Sequence, residues 1–326
     1  MDIFFPIQAF ANWFVTDLLG LASDSYTGEA LNFFVYDVIK IGLLLLVINY
    51  LMAVVRYYLP IEKIKNILTK RKWYGLDYLL AAILGMITPF CSCSSIPLFI
   101  GFLNAGIPIG VTFTFLIASP LINESSLVLF PAVFGLKVTI LYNILGMVIA
   151  MIGGKLIQKF GGGKYINPDL LKLKTRKDII AENGGESIPM KKLLKYWWND
   201  GISITKKIFP YVILGVALGA IIHGFVPSDV VEDYLASDKL WVVPFATILG
   251  VPLYANSVSV IPIVEALVEK GIPIGTALAF MTSVVTLSIP EALILKKVMK
   301  WQLLLMFFGI TTFGIMLIGF VFNALF

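Results

Sequence analysis

Long apolar stretches, separated by shorter polar segments, dominate the pattern of hydrophobic and polar positions along the chain. A helix that crosses a bilayer needs about 20 predominantly apolar residues, and each of these stretches is long enough. The pattern therefore predicts an all-α polytopic membrane protein. The clearest spans lie at about 33–58, 133–157, 203–226 and 301–324, and further apolar stretches lie at about 76–103, 107–130, 241–268 and 272–295.

The polar segments divide the chain into four parts. Residues 1–30 include an aromatic, apolar segment that carries Asn12 and Asp17, which indicates a helix lying in the membrane interface. Residues 158–200 are basic and rich in glycine, which is typical of a linker outside the membrane. We expect this linker to contact lipid headgroups or a cytoplasmic partner. The two membrane repeats cover residues 31–157 and 201–326.

The composition agrees with a membrane protein that contacts the lipid bilayer over most of its surface. The 326 residues are 59% hydrophobic and 14% charged, with a mean hydropathy of +0.91, whereas soluble domains carry about 25% charged residues. The net charge of +5 is too small to indicate a nucleic-acid partner. The N-terminal residues lack the positively charged start of a signal peptide, so we expect them to remain on the protein.

The two halves of the chain repeat one pattern. Three blocks recur in the same order, and the third pair aligns after a shift of two residues. Chance rarely produces three matched blocks in one order, so we expect a duplicated unit. The blocks are ILGMITPFCSCSSIP at 83–97 and ILGVPLYANSVSVIP at 248–262, GIPIG at 106–110 and 271–275, and SPLINE at 119–124 and TLSIPE at 286–291.

The charges between the spans orient the two copies in opposite directions. A basic segment at 56–72 follows the first span, whereas the span at 203–226 leaves the basic linker and enters an acidic loop at 229–238. Basic loops face the cytoplasm, so we expect two inverted-topology repeats in the inner membrane. This orientation places the linker in the cytoplasm and both chain termini outside.

Breaks inside the apolar stretches indicate the functional site. An even number of crossings must separate two cytoplasmic segments, yet three apolar stretches lie between the basic segment and the linker. One stretch must therefore re-enter or break, and the prolines favour Thr88–Pro97 or Ser119–Pro120 without deciding between them. Broken helices leave polar backbone groups free for a ligand. In inverted repeats they mark substrate sites near the bilayer midplane.

The predicted substrate-binding residues are the polar, cysteine and proline positions around these breaks. Hydroxyl and amide groups inside a membrane need hydrogen-bond partners, which favours a polar cavity over simple packing. We expect a small-molecule substrate to contact Pro89, Cys91, Ser92, Cys93, Ser94, Ser95, Ser119, Pro120, Asn123, Tyr254, Asn256 and Ser257.

Cys91 and Cys93 are the only cysteines of the chain. Thiolates prefer soft ions and metalloids, and a thiol in apolar surroundings keeps its proton. This chemistry suits transient capture of a thiophilic substrate, and we expect no resident metal or cofactor. Both thiols can reach one centre only if the backbone turns between them, because residues two apart diverge in helices and strands. Packing without function is the alternative for both cysteines.

Three carboxylates are candidates for proton coupling. Glu124 and Glu291 occupy matching positions in the third pair of blocks, and Glu265 lies in the second copy. An acid inside a membrane indicates function by default, although the lysines at 296 and 297 favour an interfacial position for Glu291. The chain has no G-x-x-x-x-G-K-[ST] phosphate-binding motif, so we expect an ion gradient to drive transport.

These motifs resemble a bacterial and archaeal predicted-permease family that includes YraQ and the organoarsenical exporter ArsP. The resemblance rests on TPFCSCSSIPLFIGFLNAGIPIG, FLIASPLIN and residues 248–280, and it covers roughly 30–157 and 200–325. It implies an inner-membrane permease and, for the ArsP-like branch, export of trivalent organoarsenicals with thiols contacting arsenic. The family blocks fall on Pro89, Phe90, Cys91, Ser92 and Cys93 and on Ser119, Pro120, Ile122 and Asn123, and the chain departs at Glu124, where we expect proline in many members.

Other functions compete with arsenical export. A sulfur-containing anion or another soft metal species would also suit helix N-termini and exchangeable thiols. A membrane thiol oxidoreductase would need a second cysteine pair to pass electrons to, and the chain has none, so we do not expect an enzyme. A structural or partner-binding membrane subunit that docks through the linker is a third possibility.

Overall fold

Helices make up nearly all of the part of the chain that the computed structural model describes. The one β-bridge within these residues joins Ile166 to Met299. This agrees with the predicted all-α class. The described residues are 5–22, 25–58, 75–87, 92–104, 106–167, 189–225, 241–251, 253, 260–261, 264–265, 267–268 and 271–326.

The helices are numbered in chain order. Those of the first half are α1 (Phe5–Trp13), α2 (Tyr26–Tyr58), α3 (Leu76–Ile87), α4 (Ser92–Asn104), α5 (Ile109–Leu121), α6 (Glu124–Val128), α7 (Phe130–Val133) and α8 (Gly135–Lys159). Those of the second half are α9 (Met190–Phe225), α10 (Val242–Gly250), α11 (Ile274–Thr286), α12 (Ile289–Val298) and α13 (Trp301–Leu325). A π-helical turn, Phe14–Leu18, follows α1, and a short 3₁₀ helix, Gly162–Tyr165, follows α8.

Three helices in the described part of the chain are long and apolar enough to cross a membrane, namely α2, α8 and α13. They match the spans predicted near 33–58, 133–157 and 301–324. The predicted span at 203–226 lies within α9. That helix begins at Met190, inside the predicted linker, because Leu193 and Trp197 are buried against Ala53 of α2 and extend the packed surface.

The segment predicted to lie in the membrane interface forms α1 and the π-helical turn. Its polar side chains contact α2: the Gln8 amide donates to Asn32 Oδ1 at 2.9 Å, and the Asn32 amide donates to Asn12 Oδ1 at 2.7 Å. Phe5 and Trp13 are largely exposed. A helix with bonded polar groups and bare aromatic rings fits the predicted position at the interface.

Corresponding helices recur at a constant spacing along the chain. α5 and α11 both have 13 residues and begin 165 positions apart, at Ile109 and Ile274. Each follows a glycine with positive φ, Gly106 at 74° and Gly271 at 92°. Each ends in a residue with closely similar backbone angles, φ −128° and ψ 64° in one case and φ −120° and ψ 75° in the other.

The same spacing holds for packing contacts. A Cβ at Gly85 of α3 would lie 3.0 Å from the carbonyl oxygen of Phe115 in α5, and a Cβ at Gly250 of α10 would lie 3.0 Å from the carbonyl oxygen of Phe280 in α11. Each half therefore packs a short helix tightly on its 13-residue helix. The halves pack on each other through α8 with α13 and through α5 with α11.

Candidate functional site

Several predicted site residues lie outside the described residues. These are Pro89, Cys91, Tyr254, Asn256 and Ser257. Four others, Ser92, Cys93, Ser94 and Glu124, have a described backbone only. Their side-chain roles remain predictions.

The cysteine motif adjoins the start of a helix. α3 ends at Ile87 and α4 begins at Ser92, so Cys93 lies in the first turn of α4. Residues 92–97 were predicted to belong to the break, but they are helical. A proline as near to the helix start as Pro97 removes only one hydrogen bond. Ser95 is completely buried, and α4 packs against α2, α5 and α12.

The second break lies two residues later than predicted. α5 continues through Ser119 and Pro120, both buried, and ends at Leu121. The helix passes Pro120 because a proline disturbs the preceding turn and leaves the following residue free to stay helical. Asn123 is half-buried and caps α6, with its Oδ1 accepting a hydrogen bond from the Ser126 nitrogen at 3.2 Å. The chain bends by 59° here.

The ends of α5 and α11 meet in the interior. The Thr286 hydroxyl, on the last residue of α11, donates to the Pro120 carbonyl oxygen at 3.5 Å. The Tyr142 hydroxyl of α8 donates to the Leu121 carbonyl oxygen at 2.8 Å. It also lies 3.0 Å from the Thr282 hydroxyl of α11. The broken end of α5 therefore contacts both halves through side-chain hydroxyls.

Tyr142, Thr282 and Thr286 were missed by the sequence reasoning. Each has at most 2% of its surface exposed. The available signal was a hydroxyl inside an otherwise apolar stretch, which must find a partner in a membrane. That signal does not show which carbonyl oxygen the hydroxyl would reach.

The three candidate carboxylates lie in different environments. Glu291, in the first turn of α12, is completely buried, and its backbone nitrogen donates to the Ser288 Oγ at 3.3 Å. Glu265 is exposed. Glu124 is the first residue of α6.

Glu124 and Glu291 do not occupy matching positions in the structure. The capping bond from Asn123 to Ser126 recurs 165 residues later as the bond from Ser288 to Glu291. Glu291 therefore corresponds to Ser126, and the two-residue shift used to align the sequence blocks is wrong at this point. Residue identity favoured the shift, whereas helix geometry requires none.

Asn143 of α8 fixes the chain just after the second break. Its Oδ1 accepts from the Ser126 hydroxyl at 2.8 Å, and its Nδ2 donates to the Thr139 carbonyl oxygen at 2.8 Å. Leucine has a similar size but makes neither bond. We expect Asn143→Leu to lower the free energy of unfolding by about 1 kcal/mol.

Thermal unfolding of the purified protein in detergent tests this expectation. Ile144→Leu, at a neighbouring position that is 54% exposed, is the matched control because it changes no polar contact. Equal unfolding midpoints for the two variants would show that the Asn143 bonds do not stabilise the break.

Comparison with known proteins gives matches to membrane proteins over most of the chain. A family model described as "Predicted permease" matches residues 26–324. The UPF0718 protein MJ0584 of Methanocaldococcus jannaschii is 22% identical over 84% of this chain and 92% of its own length. The UPF0718 protein YcgR of Bacillus subtilis is 32% identical over 24% of this chain and 27% of its own. No solved structure matches the chain.

Proposed function

The chain belongs to the predicted permease family, and we propose that it is a secondary transporter of the inner membrane that exports a small thiophilic substrate. The family match and the long apolar helices make it a membrane permease. The substrate class that we propose is a trivalent organoarsenical, bound by Cys91 and Cys93.

The observation that carries this proposal is the meeting of two helix ends from different halves. The 3.5 Å contact between Thr286 and the Pro120 carbonyl oxygen joins the end of α11 to the end of α5. Helices that end inside the membrane at an interface between related halves are typical of the substrate and ion sites of secondary transporters.

We interpret the two halves as inverted-topology repeats whose breaks lie near the bilayer midplane. In this interpretation residues 158–200 face the cytoplasm and both termini lie outside. Movement of one half against the other would expose the breaks to each side in turn. The constant spacing of 165 residues between corresponding helices supports the duplication.

The cysteines would capture the substrate next to these helix ends. Cys93 lies in the first turn of α4, and α4 packs against α5, which ends at the second break. Trivalent methylarsenic, with two hydroxyl groups on arsenic, exchanges each As–O bond for an As–S bond and releases one water per thiol. The exchange consumes no oxidant and reverses by hydrolysis, so it permits release on the far side of the membrane.

Uptake of trivalent methylarsenic into inside-out vesicles tests the proposal. We expect Cys91→Ser and Cys93→Ser each to lower uptake at least about tenfold, because a hydroxyl does not replace a thiolate as a soft ligand. Ser92→Ala is the matched control, since it changes the residue between the cysteines and leaves both thiols in place. Pentavalent methylarsenate, which does not bind thiols, should not be taken up.

Two results would contradict parts of the proposal. Uptake that is unchanged in both cysteine variants would assign Cys91 and Cys93 to packing. No uptake by folded wild-type protein would exclude this substrate, and sulfur-containing anions and other soft metal species would then be tested in the same vesicles.

A further inference from the structure

Five oxygen atoms lie together where α5 and α11 end, and we call them the oxygen cluster. They are the carbonyl oxygens of Pro120 and Leu121 and the hydroxyl oxygens of Tyr142, Thr282 and Thr286. The three side chains are almost completely buried. The ring of Tyr142 packs on Phe130, with 5.0 Å between ring centroids, so an apolar wall borders the cluster.

The cluster has fewer protons than short oxygen–oxygen contacts. Tyr142 Oη lies 2.8 Å from the Leu121 carbonyl oxygen and 3.0 Å from Thr282 Oγ1. Thr282 Oγ1 in turn lies 2.6 Å from the Leu278 carbonyl oxygen. These three contacts share two hydroxyl protons, because each hydroxyl donates once. One pair of oxygens is therefore in contact without a hydrogen between them, which is repulsive.

The surrounding helices add negative potential. The last carbonyl groups of a helix have no partner within it, and the C-terminus carries about half a negative charge. Two such ends, those of α5 and α11, meet at the cluster. In an apolar interior this potential is weakly screened. A bound cation would relieve both the oxygen contact and the dipoles.

We propose that the oxygen cluster binds a sodium ion. Neutral oxygens at the carbonyl ends of broken helices are typical ligands for sodium in secondary transporters. None of the five oxygens belongs to a carboxylate, whereas divalent cations in proteins usually need carboxylate ligands. Hydroxyl and carbonyl groups do not take up a proton near neutral pH, so this is not a site for a coupling proton.

The site is single even though the chain is duplicated. At the spacing of 165 residues, the positions of Tyr142 and Thr282 correspond to Phe307 and Ile117. Neither counterpart carries an oxygen on its side chain. The second copy therefore supplies ligands to the end of α5 and has no such cluster of its own.

The bound ion would hold the two halves together. Pro120, Leu121 and Tyr142 belong to the first half, and Thr282 and Thr286 belong to the second. Sodium would stabilise the arrangement in which α5 and α11 meet. Its use as a driving ion rests on the proposed transport function, but its binding does not, so the two can fail separately.

Thermal unfolding of the purified full-length protein tests the site without a transport assay. Sodium chloride is compared with choline chloride at equal ionic strength. We expect sodium to raise the unfolding midpoint of the wild type by a few degrees, because a ligand that binds only the folded state stabilises it. Thr286→Val should need at least about tenfold more sodium for the same shift, since one ligand is lost.

Thr311→Val is the matched control. Thr311 is as buried as Thr286, but its hydroxyl bonds only the carbonyl oxygen of Phe307 in its own helix. The control should keep the sodium dependence of the wild type. Tyr142→Phe, which keeps the ring contact with Phe130, gives a second test if Thr286→Val does not fold.

Two outcomes would overturn the sodium site. One is an equal midpoint for the wild type in sodium and choline. The other is a wild-type sodium dependence in Thr286→Val and Tyr142→Phe. Loss of methylarsenic uptake with sodium binding intact would contradict the proposed substrate and leave the site standing.

Discussion

Gly154→Val is expected to prevent most of the chain from reaching its native packing. Gly154 of α8 faces α5, and a Cβ there would clash with the Thr114 hydroxyl and with the carbonyl oxygen of Gly110. The hydroxyl can rotate away, whereas the carbonyl oxygen moves only if α5 itself moves. Small residues at such crossings let membrane helices pack backbone to backbone, so valine must separate α5 from α8.

Extra side-chain atoms in a packed core cost about 1–3 kcal/mol. We expect Gly154→Val to reach at least the upper end of that range, because the clash involves backbone. The measurement is the yield of monodisperse protein after detergent extraction, together with its unfolding midpoint. Gly309→Val is the matched control in α13, since a Cβ there meets nothing within 4 Å.

Gly319→Val extends the same prediction to the second half. A Cβ at Gly319 of α13 would lie 3.0 Å from the Gly275 carbonyl oxygen of α11 and 3.0 Å from Ala279 Cβ. We expect a comparable loss of folded protein. If Gly154→Val were as stable as Gly309→Val, the close approach of α5 and α8 would not be required for the native packing.

Local features of the fold were predictable because they depend on neighbouring residues. The GIPIG blocks predicted two equivalent elements, and each contains a glycine with positive φ, Gly106 or Gly271, directly before a 13-residue helix. Side chains strongly disfavour this backbone conformation, so a glycine at a fixed offset indicates the turn reliably. Apolar length likewise predicted the α2, α8 and α13 spans.

The candidate site was only partly predictable because its contacts join distant parts of the chain. Tyr142 and Thr282 are 140 positions apart, and no local pattern pairs them. Prolines indicated the break near Pro120 but not its position at Ile122, since the effect of proline depends on the hydrogen bonds of the preceding turn. The alignment of Glu124 with Glu291 failed for a similar reason, because shared residue types outweighed the helix-capping geometry.

Glu291→Gln is expected to abolish the stimulation of transport by a proton gradient. Glu291 is completely buried in α12, and α12 packs against α4, which carries Cys93. A buried carboxylate in a membrane protein is costly unless it is used, and its protonation would change the charge beside the proposed substrate site. Glutamine keeps the shape and the backbone bond to Ser288 but does not take up a proton.

Proteoliposomes with an imposed proton gradient measure this effect on methylarsenic transport. We expect the gradient-driven rate of Glu291→Gln to fall at least roughly tenfold, to the rate without a gradient. Glu265→Gln is the matched control, because Glu265 is exposed and removal of its charge should leave transport unchanged. Equal losses in both variants would indicate a general effect of surface charge. A normal gradient response in Glu291→Gln would exclude Glu291 as the proton carrier, and sodium at the oxygen cluster would then be the remaining driving ion on this side of the protein.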